Sequence, residues 1–149
     1  MNTSHRVAVA LMVTGFALTS ACAVRGSEHV GLVIGKLHPC PKSPNCVSSQ
    51  ELTKRHYIDP LRFEGEPDSF FGRLRIYCLS LKRVEIVHED ADYMRLTFKS
   101  ALFRFVDDVE FLLDREENLV HVRSASRSGY SDLGVNRKRI ERIRAGMKL

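Results

Sequence analysis

The middle of the chain alternates between apolar and polar residues with a period of two, which predicts a block of β-strands. The predicted strands run over residues 83–88, 93–100, 103–114 and 119–126, and the turns between them are rich in Asp, Glu and Asn. Consecutive strands joined by short turns form an antiparallel meander that is apolar on one face. In the third strand we expect this apolar face to carry Phe103, Phe105, Val109, Phe111 and Leu113.

Helical periodicity replaces this alternation just before the strands. Apolar residues recur at a spacing of three and four between residues 70 and 81. This pattern predicts a helix that opens at Pro67, is capped by Asp68 or Ser69 and ends near Lys82.

A second helix is predicted after the strands, over residues 136–146, with Ile140, Ile143 and Met147 on its inward side. The two helices would cover the apolar face of the sheet. The predicted fold class is therefore α+β, with a four- or five-stranded antiparallel β-meander and helices packed on one face. The 149 residues suffice for one domain with a substantial core.

The N-terminal residues have the pattern of an export signal. Arg6 precedes an apolar stretch, residues 7–18, which is too short to span a bilayer because a spanning helix takes roughly 20 apolar residues. Small residues then lead to Cys22. We predict a lipoprotein-type signal peptide over residues 1–21 and attachment of lipid, including palmitate, to the Cys22 thiol. The alternative is an ordinary secretory signal, because Thr19 stands where lipoprotein signals prefer Leu.

The predicted domain boundaries and cellular compartment both follow from export. After the signal peptide we expect a tether over residues 22–37 and a single globular domain over residues 38–149. Ala23, rather than Asp, follows Cys22, which favours the outer membrane facing the periplasm in a Gram-negative cell. The expected partners are that membrane, through the anchor on Cys22, and an anionic ligand or an envelope protein. Nucleic acid is not expected, because the protein is exported and its net charge is only +5.

Three cysteines follow the leader. A loop with three prolines brings Cys40 and Cys46 close together, and an oxidising periplasm favours a disulfide between them. The alternative is a metal pair with His38 as a third ligand, but this spacing matches no standard zinc pattern, and we predict neither a metal nor a cofactor. Cys78 lies within the apolar helical pattern, which predicts a buried free thiol.

Three stretches resemble a known family. They are residues 40–49 (CPKSPNCVSS), 105–111 (FVDDVEF) and 123–139 (RSASRSGYSDLGVNRKR). On these stretches the chain resembles the uncharacterised family catalogued as domain of unknown function 1499, over roughly residues 37–146. The resemblance implies no established reaction, cofactor or partner, but it marks these stretches as the place of a family function. Many members look exported or membrane-attached, in agreement with the leader.

Charged side chains on the outer face of the third and fourth strands are candidates for chemistry. By alternation, Asp108 and Glu110 lie across from His121 and Arg123 on the neighbouring strand. One interpretation is a solvated sheet face with cross-strand ion pairs, each stabilising by about 0.2–1 kcal/mol. The alternative is the floor of a ligand site, where Arg123 and Arg127 hold a carboxylate or phosphate by two-pronged hydrogen bonds.

Asp107 is expected to point inward, between Phe105 and Val109, where an unpaired carboxylate would be costly. Either a β-bulge turns it outward or a cation reaches it. We favour a structural pairing with the segment 127–139, whose candidate cations are Arg127, Arg137 and Arg139.

The segment over residues 124–134 is rich in hydroxyl groups and glycines and leads into the second helix. A helix N-terminus with nearby arginines suits an anion. Equally, Asp132 and Asn136 can cap the helix while the glycines permit the turns. The helix itself is strongly basic, which suits an anionic membrane surface or a solvated face; its cations are Arg137, Lys138, Arg139, Arg142, Arg144 and Lys148.

These observations predict an envelope lipoprotein without catalytic activity that binds an anionic small molecule, a lipid or a protein partner. Its predicted ligand-binding residues are Arg123, Ser126, Arg127, Asn136 and Arg137. The alternative is a hydrolase or isomerase that uses Arg123 and Arg127 as substrate clamps and takes its acid or base from Asp107, Asp108 and Glu110. A third hypothesis is a structural assembly subunit, which requires an exposed apolar patch of several hundred Å².

Overall fold

A computed structural model describes residues 29–149. The predicted signal peptide, its cleavage site and Cys22 lie outside the described residues. Between residues 29 and 149, no helix has the length and apolar character needed to cross a bilayer. In chain order the elements are β1 (Leu32–Val33), β2 (Lys36–Leu37), β3 (Cys46–Ser48), β4 (Leu61–Arg62), α1 (Pro67–Ser80), β5 (Val84–Glu89), β6 (Tyr93–Lys99), β7 (Val106–Asp114), β8 (Leu119–Ser126) and α2 (Val135–Gly146).

The main sheet has six strands and antiparallel strand pairing. The order is β3-β8-β7-β6-β5, and β4 also pairs with β8. The predicted meander is therefore present as β5 to β8, in the predicted α+β class. The predicted number of strands was too low, because β3 and β4 are three and two residues long and too short to show alternation.

Both helices pack on one face of this sheet, as predicted. Strand β7 contributes Val109, Phe111 and Leu113 to the core, and β8 contributes Val120 and Val122. The buried core residues of α1 are Phe70, Phe71, Leu74 and Cys78, and those of α2 are Ile140 and Ile143. Burial of these side chains is the dominant stabilising contribution of the fold, at about 1.5–3 kcal/mol for each large apolar side chain.

Two local predictions were wrong. Strand β7 begins at Val106, and Phe103 and Phe105 are exposed rather than in the core. A tight loop precedes the strand, because Ser100 donates its amide to the Phe105 carbonyl (2.8 Å) and accepts the Phe105 amide on its hydroxyl (2.9 Å). Helix α1 has Glu66 as its N-cap, with no side-chain hydrogen bond to cap it, and Pro67 occupies its first position.

The segment predicted as a tether contains a hairpin. Strands β1 and β2 pair with each other, and β2 contacts β7 and β8 on the face opposite the helices. The amide of Gly31, at a φ of +94°, donates to Glu110 Oε1 (2.6 Å), and the Leu37 side chain is buried. The hairpin thus covers the polar face of the sheet.

Candidate functional site

The predicted disulfide between Cys40 and Cys46 is present, with the two Cα atoms 5.7 Å apart. It shapes the loop that places Asn45, whose side-chain amide donates to the Gly129 carbonyl (2.7 Å).

Cys78 is a buried free thiol, as predicted, and burial raises its pKa to about 12. Residues 29–149 contain no cluster of three His, Cys, Asp or Glu side chains that could hold a metal ion.

The polar face of the sheet is buried, contrary to the interpretation of a solvated face. Glu110 and Arg123 are 0% and 1% exposed and form an ion pair, with Arg123 Nη1 2.7 Å from Glu110 Oε2. The other oxygen of Glu110 accepts the Tyr93 hydroxyl (2.7 Å) and the Gly31 amide (2.6 Å). Burial, together with the hydrogen bond to Glu110, raises the pKa of the Tyr93 hydroxyl. Alternation did not reveal this burial, because the covering hairpin comes from a distant part of the chain.

A second ion pair lies along the same strands. The guanidinium of Arg127 donates two parallel hydrogen bonds to Asp108, from Nε to Oδ2 (2.8 Å) and from Nη2 to Oδ1 (2.9 Å). The pKa of Arg127 is raised by this bonding. Asp108 is 1% exposed, so the pairing compensates a buried carboxylate.

On the helix side of the sheet, Asp107 points inward and pairs with Arg139, one of the three predicted cations. Arg139 also donates to the Ser124 hydroxyl (2.9 Å) and stacks over the Phe98 ring, 5.0 Å from its centroid. The pairing of Asp107 with the segment 127–139 is thus confirmed, and no β-bulge is needed.

Asn136 is the centre of a buried hydrogen-bond network between β8, the disulfide loop and α2. It accepts the Ser124 hydroxyl (2.6 Å) and donates to the Asn45 carbonyl and to Ser126 Oγ (both 3.0 Å). The carboxylate of Asp132 accepts the amides of Gly134 (2.9 Å) and Asn136 (2.8 Å). The N-terminus of α2 is therefore already capped by a carboxylate of the chain itself.

The predicted ligand-binding residues do not form one open site. Arg123 lies on the hairpin face of β8 and Arg127, directly after this strand, pairs with Asp108, whereas Ser126 faces α2 with Asn136. Arg137 donates to the carbonyls of Arg55 (3.1 Å) and Tyr57 (2.7 Å). Each of these side chains is engaged by other groups of the protein.

A different set of cations lines an open groove of about 510 Å³. The groove lies between the end of α1, the end of β6 and the exposed side of α2, and we call it the cationic groove. Its charged lining consists of one carboxylate, Asp107, and the six cations Lys82, Arg83, Lys99, Lys138, Arg139 and Arg142. Leu81, Phe98 and Val135 supply the apolar part of its lining.

Four cations of the cationic groove have no carboxylate within ion-pair distance in the described part of the chain. They are Lys82, Arg83, Lys138 and Arg142, of which Arg83 donates from its Nε to the Lys99 carbonyl (3.0 Å). Arg139 is paired with Asp107 and Lys99 with Glu85. Like charges gathered around a partly apolar concavity create a positive potential that favours an anion. Three of the six groove cations, Lys138, Arg139 and Arg142, belong to α2, whose basic composition was evident in the sequence. Nothing in the sequence indicated that Lys82 and Arg83 would line the same groove.

Comparison with curated proteins gives no match, and comparison with solved structures gives none either. A family profile described as "Protein of unknown function (DUF1499)" matches residues 36–147. This match spans β2 to α2, and thus the disulfide loop, the three pairs of a buried carboxylate with an arginine and the cationic groove. The chain therefore belongs to the family catalogued as domain of unknown function 1499, which is the family that its sequence resembles.

Proposed function

We propose that this chain is an exported, lipid-anchored protein of the bacterial envelope that binds an anionic ligand in the cationic groove without catalysing a reaction. One observation carries the proposal: within residues 29–149, four cations without an ion-pair partner line a groove of about 510 Å³, and the one carboxylate that this part of the chain contributes to the lining is already bound by Arg139. A phosphate or carboxylate group entering the groove would meet guanidinium and ammonium donors without displacing a protein anion.

The carboxylates considered for catalysis support binding rather than acid–base chemistry. Asp107, Asp108 and Glu110 are each held by an arginine: Arg139, Arg127 and Arg123 in turn. A general base must reach a proton of the substrate, and these three carboxylates are at most 7% exposed. We therefore place the ligand in the cationic groove and assign the paired carboxylates a structural role.

The N-terminus of α2 is a weaker candidate for the ligand than the cationic groove. Its free amides would favour an anion, but the carboxylate of Asp132 already accepts two of them. Lys138 and Arg142, one turn apart on the exposed side of the same helix, have no carboxylate partner among residues 29–149. The proposal therefore depends on the side chains of α2 and not on its dipole.

Titration with inorganic phosphate, followed by the backbone amide signals of the protein, tests the proposal. We expect saturable shifts at residues 82–83, 99–100 and 135–142. The variant Lys138→Gln/Arg142→Gln should lose them, because it removes two unpaired cations of the groove. The variant Lys54→Gln/Arg55→Gln removes the same charge from side chains that do not line the groove and should bind as the parent does. Equal shifts in both variants would contradict a site in this groove.

A further inference from the structure

Two loops at one end of the sheet expose apolar side chains. The first, between β6 and β7, carries Leu102, Phe103 and Phe105. Phe103 is 70% exposed, and the centroid of its ring lies 5.6 Å from that of Phe105. The second, between β8 and α2, carries Tyr130 and Leu133, with Leu133 87% exposed. Single exposed apolar residues need no explanation, but several together mark an interaction surface.

The two loops are neighbours, and they border the cationic groove. The Arg127 amide donates to the Val106 carbonyl (3.1 Å), which joins the start of the second loop to the end of the first. Ser100 and Val135, at the outer ends of the loops, both line the groove. We call this surface, formed by residues 81–83, 100–105 and 127–135, the loop end.

Cations accompany the apolar side chains of the loop end. Arg104 lies between Phe103 and Phe105, and it has no ion-pair partner in the described residues. Lys82 and Arg83 belong to the loop end, and Lys138 and Arg142 line the same groove. Aromatic and aliphatic side chains that enter an interface, surrounded by cations, match a bilayer surface with anionic headgroups.

We propose that the loop end docks on a phospholipid bilayer, with its apolar loops at the headgroup–acyl boundary and a headgroup phosphate in the cationic groove. This inference rests on the proposed function, because the headgroup would be the anionic ligand of that groove. It goes further because it names what contacts the exposed apolar loops. Binding of a soluble anion in the groove would leave these loops exposed to water.

Chain length permits docking and lipid anchoring on the same membrane. From Cys22 to His29 the chain advances seven residues, which span at most about 25 Å. Gly31 is hydrogen-bonded to Glu110, and Val106, which directly follows residue 105 of the loop end, lies four residues from Glu110 along β7, or about 14 Å. An anchor on Cys22 can therefore hold the loop end at the bilayer without extending the chain fully.

A single introduced tryptophan tests the docking, because the chain has none of its own. The variant Phe103→Trp, extracted from membranes and reconstituted into vesicles of phosphatidylglycerol and phosphatidylcholine, should show blue-shifted emission that brominated acyl chains quench. Ile76→Trp, at an exposed apolar position of α1, is the matched control and should remain unquenched. Adding Lys138→Gln to Phe103→Trp should shift the equilibrium away from the docked state by roughly fivefold.

Other outcomes would overturn the inference. Quenching of Ile34→Trp, at the exposed tip of the β1–β2 hairpin, without quenching of Phe103→Trp would place a different surface on the bilayer. A blue shift without vesicles that grows with protein concentration would identify a second copy of the chain as the occupant. Loss of docking with phosphate binding intact would reject this inference alone, whereas loss of phosphate binding in solution would reject the proposed function.

Discussion

At the scale of single residues, the buried pair of Glu110 and Arg123 should be the most sensitive contact of the domain. Replacing Arg123 with Met leaves the Glu110 carboxylate uncompensated in a site that is 0% exposed. We expect a loss of about 3–5 kcal/mol in the free energy of unfolding. Urea denaturation measures it as a lower midpoint with an unchanged slope.

Two further variants show whether the cost comes from the unpaired charge. Arg75→Met breaks an exposed pair with Glu89 and should cost less than about 1 kcal/mol. Adding Glu110→Gln to Arg123→Met removes the charge and keeps an oxygen for Tyr93 and Gly31, so part of the stability should return. The Nε of Arg123 has no hydrogen-bond partner within residues 29–149, which makes an uncharged replacement easier to tolerate. Strictly additive losses would show that the pair is not coupled.

At the scale of elements, strands β5 to β8 from Val106 onward in β7, and both helices, were predictable because each has a clear period. Strand β8 has the predicted bounds, Leu119–Ser126, and the apolar stripes of α1 and α2 are buried as expected. Strands β3 and β4 are too short for a period to show. Phe103 and Phe105 continue the alternation of β7 in sequence, but the closed turn at Ser100 removes them from the sheet. A sequence period indicates an element, and it does not show where a loop interrupts it.

The contact between α1 and α2 gives a prediction at this scale. A Cβ atom added at Gly146, the last residue of α2, would lie 2.0 Å from the Tyr77 hydroxyl of α1, so the Tyr77 ring would have to move. We expect Gly146→Ala to destabilise the protein by about 1–3 kcal/mol through overpacking. Thermal unfolding, followed by circular dichroism, measures the change.

Gly72 of α1 is the matched control for this substitution. It is also a helical glycine, and a Cβ there meets nothing within 4 Å. Gly72→Ala should therefore stabilise the protein by about 0.5–1 kcal/mol, because alanine restricts the unfolded chain and favours the helix. Effects of the same sign at both positions would mean that the helices are not in close contact at Gly146.

At the scale of the whole molecule, candidate site residues could be found singly but not as a group. The sequence identified the acids of β7, the cations of β8 and the basic helix, and Asp107 was correctly expected to point inward. It did not reveal that the hairpin buries Glu110 and Arg123, or that Lys82 and Lys138 line the same groove. Both arrangements depend on contacts between segments far apart in the chain, which local periodicity does not encode.

The reactivity of the four cysteines tests three properties in one experiment: the lipid anchor, the disulfide and the burial of the free thiol. Protein extracted from membranes in mild detergent and treated with a thiol reagent should take up no label while folded. Cys22 would carry lipid, Cys40 and Cys46 are joined, and burial, which raises the Cys78 pKa to about 12, keeps that thiol protonated and unreactive. Unfolding without reductant should expose one labelled thiol, and Cys78→Ala should abolish it. A label on Cys22 in the folded protein would refute lipidation, whereas a label on Cys78 would contradict its burial.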